Sequence, residues 1–147
     1  MRKANYDKFP STKLTGMLVQ GWDSIISMLK EKMDARKVLA VDLYTGVYEE
    51  EVLDAFSKEF SGRVMNVRDL MKPEKEIQAL TERFMTEDVL FGYVTNLKLE
   101  DYLDVDKVAA ARKQISEAKD AIVIIGTGAS VVAPQDAMVV YADMARW

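Results

Sequence analysis

The stretch Ala121-Ile122-Val123-Ile124-Ile125-Gly126-Thr127-Gly128-Ala129-Ser130 decides the fold. A strand with one wet face alternates apolar and polar positions. This unbroken β-branched run therefore predicts a strand buried on both faces, as in a parallel sheet covered by helices. The glycine turn behind it marks where the chain leaves the sheet.

The pattern extends in both directions. Upstream, Asp104 or Asp106 opens a predicted helix whose apolar positions are Val108, Ala109, Ala111, Ile115 and Ala118. Val38-Leu39-Ala40-Val41 is another continuous apolar run. Before it lies the helical stripe Trp22, Ile25, Ile26, Leu29, Met33, with Asp23 or Ser24 as its cap. After the turn Asp42–Gly46 come Glu49-Glu50-Glu51 and the stripe Val52, Leu53, Phe56, Phe60. This predicts a helix with its carboxylates in the first turn, where the macrodipole favours them, and Gly62 as its stop.

Arg63-Val64-Met65-Asn66-Val67 reads as a strand. Pro73 opens a third helix whose inner face is Ile77, Leu80, Thr81 and Phe84. Val89–Val94 is apolar but short and stays open between strand and loop. Met138-Val139-Val140-Tyr141 reads as the last strand.

Strands alternating with amphipathic helices predict a three-layer α/β/α fold with a mostly parallel sheet. One domain is expected over 21–147, behind an extended arm over 1–20 that holds Pro10 and Gly16 and has no period. A closing strand followed at once by Asp143–Trp147, with no covering helix, reads as a piece of a longer chain.

Composition narrows the chemistry. The 147 residues are 49% apolar and 30% charged, with net charge −4, no Cys and no His. Without Cys there is no disulfide framework and no thiol nucleophile, as expected of a cytoplasmic protein. Without His the commonest metal ligand and the usual near-neutral acid–base group are both missing. Residues 1–40 carry 8 Lys/Arg against 4 Asp/Glu, and residues 41–147 carry 12 against 20. That mildly basic arm is too thin for a nucleic-acid face. No apolar run approaches the roughly 20 residues of a membrane span.

Ligands of open α/β sheets bind at the carboxyl ends of the strands, which singles out two turns. The turn from Asp42 to Tyr48 sits where a phosphate-binding loop would. It has only Gly46 of that motif, with Val47 and Tyr48 in place of the Lys and the hydroxyl, and three glutamates behind them. Triphosphate binding there is rejected. Asp42, Tyr44 and Thr45 are left to face a neutral or cationic ligand, or simply to form a tight turn. The second turn offers Gly126, Thr127, Gly128 and Ser130, with two glycines, two hydroxyls and no acid, as a nest for a small anion. Asp42 and Asp143 each end a strand, so they serve either as paired carboxylates or as ordinary turn formers. Arg68 and Asp69 follow a strand likewise, and an ion pair is the plain expectation. The nine Met residues are scattered and read as core filling.

Several longer strings carry a resemblance. They are Asn5–Lys13, Ala40–Glu51, Arg68–Pro73, Asp88–Thr95 and Tyr141–Trp147. Together they resemble the N-terminal α/β domain of a bacterial subfamily of class I, cupin-type mannose-6-phosphate isomerases. The resemblance implies that the whole protein interconverts mannose 6-phosphate and fructose 6-phosphate. It also implies that the zinc and its His-bearing site lie in the cupin domain outside this sequence. No catalytic residue carries over. This domain is then expected to hold no cofactor and to bind, regulate or assemble, with the cupin domain or a second copy of itself as partner. The order of strand, glycine turn, later strand with a Gly-rich turn, and strand ending in Asp also looks like uridine-kinase-type P-loop kinases. This implies, as the alternative, a degenerate nucleotide- or sugar-phosphate-binding domain.

Overall fold

The computed structural model describes Ser11, Lys13, residues 15–33 and residues 37–144. Most of the predicted arm and residues 145–147 lie outside the described residues. In chain order the elements are α1 (Trp22–Met33), β1 (Val38–Leu43), α2 (Glu49–Glu59), β2 (Arg63–Asn66), α3 (Glu74–Thr81), α4 (Val105–Glu117), β3 (Ile122–Gly126), α5 (Ala129–Val132) and β4 (Met138–Ala142).

All three strand pairings are parallel, in the order β2-β3-β1-β4. The two unbroken apolar runs that pointed to the fold are the central strands. Every residue of β3 is buried, as is every residue of β1 except Asp42, which is half-buried. Alternate side chains go to opposite faces. Leu39, Val41, Leu43, Val123 and Ile125 meet Ile26, Leu29 and Met33 of α1 and Val52, Ala55 and Phe56 of α2. Val38, Ala40, Ile122 and Ile124 meet Val108, Ala111 and Ile115 of α4 and Ala129 and Val132 of α5. The expected α/β fold with flanking helices is present.

Several local details differ from the sequence expectations. β2 ends at Asn66, because the Asn66 side chain accepts from the Arg68 N–H at 2.8 Å and starts a single 3-10 turn over Val67–Leu70. That turn places Val67 and Leu70 in the core. Of the two candidate caps for α4, Asp104 serves, accepting from the N–H groups of Asp106 and Lys107, each at 3.0 Å. α2 stops at Glu59, with Phe60 already extended. Gly62 does not terminate it by a left-handed turn. It is required instead because a Cβ there would lie 2.1 Å from the Ala121 carbonyl oxygen.

The expected inner face of α3 reaches no core, and Ile77, Leu80, Thr81 and Phe84 are only half-buried. Residues 89–94 form no strand. Asp88 accepts from the N–H groups of Leu90 and Phe91 (2.8 and 3.0 Å), bending the backbone into a turn.

Candidate ligand-binding crevice

β1 and β3 are neighbours whose onward connections diverge. From β1 the chain crosses through α2 on one face to the far edge strand β2. From β3 it crosses through α5 on the other face to the opposite edge strand β4. Strands that part in this way leave a crevice beyond their carboxyl ends. The register pairs Asp42 with Gly126 at its floor.

The Gly126 turn is closed by the protein itself. One oxygen of Asp42 accepts from the Gly128 N–H at 2.9 Å, and the other from the Ser130 N–H at 3.0 Å. The Ser130 hydroxyl also donates to Asp42. Thr127 turns its hydroxyl the other way and donates to the Leu43 carbonyl at 3.0 Å. Gly126 and Gly128 both take positive φ, +137° and +86°. A Cβ on Gly126 would come within 2.8 Å of the Val67 Cβ, so only glycine fits beside the 3-10 turn. Two of the backbone donors that the sequence offered to a small anion therefore already hold a carboxylate.

The other predicted residues lie along the same end of the sheet. The Tyr44 N–H donates to the Ala142 carbonyl at 2.9 Å, binding the turn after β1 to the end of β4, and Thr45 is exposed at its tip. Asp143 follows β4 and accepts from the Met144 N–H at 2.8 Å. The strand ends bring Asp42 and Asp143 to one side of the molecule, but their carboxylates serve different backbone groups. Among the described residues no group of three or more acidic side chains converges as a metal site.

Two residues of the crevice were not singled out as ligand groups. Arg68 does enter an ion pair, but with Glu49 of α2 rather than Asp69, Nη2 to Oε2 at 3.1 Å. The other Glu49 oxygen, Oε1, is buried without a hydrogen-bond partner among the described residues. Glu49, Arg68 and Thr127 line two adjoining cavities. One, of about 340 Å³, is walled by Val67, Met71, Leu99, Tyr102 and Leu103. The other, of about 410 Å³, is walled by the turn from Leu43 to Glu50. Both volumes are in the range of small-molecule sites. Three of the wall residues come from residues 99–103, which fold back so that Met71 and Leu103 form an isolated bridge. Nothing local in the sequence announces that contact.

A larger cavity, of about 560 Å³, lies at the opposite end of the sheet, near Lys37, Val38 and Ile122. Its Arg112 is engaged, donating to the Val131 carbonyl at 2.8 Å. The cavity is remote from the strand ends where the connections part, so the smaller crevice is the better ligand candidate.

A family model described as a domain of unknown function, DUF8485, matches residues 21–147. The chain belongs to the DUF8485 family. No curated protein and no solved structure matches it. The matched span of this DUF8485 domain contains all four strands and the whole crevice. Among the described residues, no helix is long and apolar enough to cross a membrane.

Proposed function

We propose that this domain works by binding rather than by catalysis, as the cytoplasmic N-terminal partner of a cupin-type class I mannose-6-phosphate isomerase domain. In this reading the zinc and the sugar-phosphate chemistry belong to the cupin domain. The observation that carries the non-catalytic half is the Asp42 carboxylate seated on the Gly128 and Ser130 N–H groups. A phosphate competing for those donors would have to displace a fixed negative charge. The isomerase half rests on the resemblance of the strings between Asn5 and Trp147.

A docking role is supported by an exposed apolar run. Val89, Leu90, Phe91, Tyr93 and Val94 are each more than two-thirds exposed within six residues. Contiguous apolar surface of this kind marks interaction sites.

The test is an equimolar mixture of this protein with the class I mannose-6-phosphate isomerase cupin domain encoded in the same genome. Size-exclusion chromatography and a mannose 6-phosphate turnover assay read the result. Co-elution that Phe91→Asp abolishes is expected, with no turnover by the 147-residue protein alone. Turnover by that protein, or separate elution, would overturn the proposal.

The alternative, a degenerate nucleotide- or sugar-phosphate-binding domain, has one observation in its favour. The crevice lies where the β1 and β3 connections part, the usual place for such ligands. A rise of several degrees in melting temperature with nucleotide or sugar phosphate, with or without Mg²⁺, would favour it.

A further inference from the structure

The geometry points to a binding site, centred on Glu49, for a small molecule with an apolar or aromatic body and a hydrogen-bond-donating head. That head is a hydroxyl or an ammonium and not an anion. The inference stands whether or not the domain meets an isomerase.

Three observations converge. First, Glu49 is half-satisfied. Its Oε2 is paired with Arg68, while its Oε1 is buried with no partner. An unpaired buried acceptor is costly in a folded protein, and a ligand donor that pairs with it recovers the loss.

Second, the group paired with this carboxylate is displaceable. The Arg68 side chain is 63% exposed, and among the described residues its guanidinium makes one ion pair, to Glu49. Swinging it into water sacrifices an interaction that is weak at such exposure. The movement would free Glu49 Oε2 beside the residues that the two cavities share, Glu49, Arg68 and Thr127.

Third, the chambers on either side differ in chemistry. Val67, Met71, Leu99, Tyr102 and Leu103 form an apolar wall on one side. On the other side Tyr44, Thr45, Tyr48 and Glu50 bring polar groups in beside Leu43 and Val47, a more mixed wall. A ligand lying across the Glu49 carboxylate would place its apolar body on the first wall and its head at the boundary. The charge excludes an anion. Once Arg68 swings aside, Glu49 and Glu50 dominate the crevice, and two N–H groups of the neighbouring turn are already taken by Asp42.

Three probes with one shared ring separate the head groups: benzylamine, benzyl alcohol and benzoate. Each is titrated to millimolar concentration into the intact, nitrogen-15-labelled protein, and amide shifts are followed by NMR. Benzylamine and benzyl alcohol are expected to shift Met71, Leu103, Gly126 and Thr127, and benzoate is not. Glu49→Gln should weaken benzylamine about tenfold, a difference of about 1.4 kcal/mol, with the remaining amide spectrum unchanged. Arg68→Ala should leave benzylamine binding intact or tighten it. Benzoate binding as well as benzylamine, loss of benzylamine binding in Arg68→Ala, or no shifts from any probe would each overturn the site.

Discussion

The turns after β3 and β1 stand side by side above the sheet and are built on opposite plans. In the β3 turn, Gly126 and Gly128 are buried, Asp42 accepts from two backbone N–H groups and a hydroxyl, and Thr127 ties back to Leu43. In the β1 turn, Thr45 and Gly46 are exposed, and Tyr48 precedes α2 without a side-chain cap. Its neighbour Glu49 keeps one buried oxygen without a partner. The first turn closes a potential anion nest with an internal carboxylate. The second leaves hydrogen-bonding capacity unused. The less satisfied of the two turns is the one on which the proposed Glu49 site rests.

Removing the internal carboxylate should disturb this contrast most. Asp42→Ala leaves the Gly128 and Ser130 N–H groups without their acceptor and is expected to cost about 3 kcal/mol in urea denaturation. Asp42→Asn, which retains one carbonyl acceptor, should cost about half as much. A loss below about 1 kcal/mol for the alanine variant would mean that water replaces the carboxylate at no great cost.

The same substitution in both turns compares their rigidity directly. Gly126→Ala puts a methyl group 2.8 Å from the Val67 Cβ at a φ of +137°, and a melting-temperature drop equivalent to about 2 kcal/mol is expected. Gly46→Ala also has a positive φ, +108°, but among the described residues its methyl meets only the flexible Met144 side chain, so about 1 kcal/mol is expected. Equal losses would erase the distinction between a packed turn and an open one.

Glu49→Gln should have the smallest effect, within about 0.5 kcal/mol of the unaltered protein by chemical denaturation. The ion pair it removes has a largely exposed partner, and the altered group is already half-unpaired. A loss of several kcal/mol would make Glu49 a structural residue and assign it to the closed class of turn.

The central strands were legible because burial on both faces leaves no place for a polar side chain. Val38–Val41 and Ile122–Ile125 could be read without knowing their neighbours. Edge position was not legible. Met138-Val139-Val140-Tyr141 is as unbroken an apolar run, yet it forms β4 at the sheet edge, with Val139 55% and Tyr141 60% exposed. Apolarity says that a strand is favourable there, but not how many neighbours it finds. Helix stripes had the same ambiguity. Those of α1, α2 and α4 reach the core, while the stripe of α3 is only half-covered.

The candidate site divides along similar lines. Asp42 and the Gly126–Ser130 turn were visible as strand-end chemistry, because in an α/β sheet the carboxyl ends can be found from the strands alone. That the two residue sets would hydrogen-bond to each other was not visible, since 86 residues separate Asp42 from Gly128. The Glu49–Arg68 pair joins residues 19 apart on different elements. The apolar wall likewise depends on the Met71–Leu103 bridge.

The sequence by itself determined the α/β class, the two buried strands and the turns where the chain leaves them, because these follow from local periodicity and backbone chemistry. Only the tertiary structure decided the order β2-β3-β1-β4, the closing of the nest by Asp42 and the half-satisfied Glu49 in the crevice. Each of these depends on which distant groups meet, and hydrogen bonding and close packing act through space rather than along the chain.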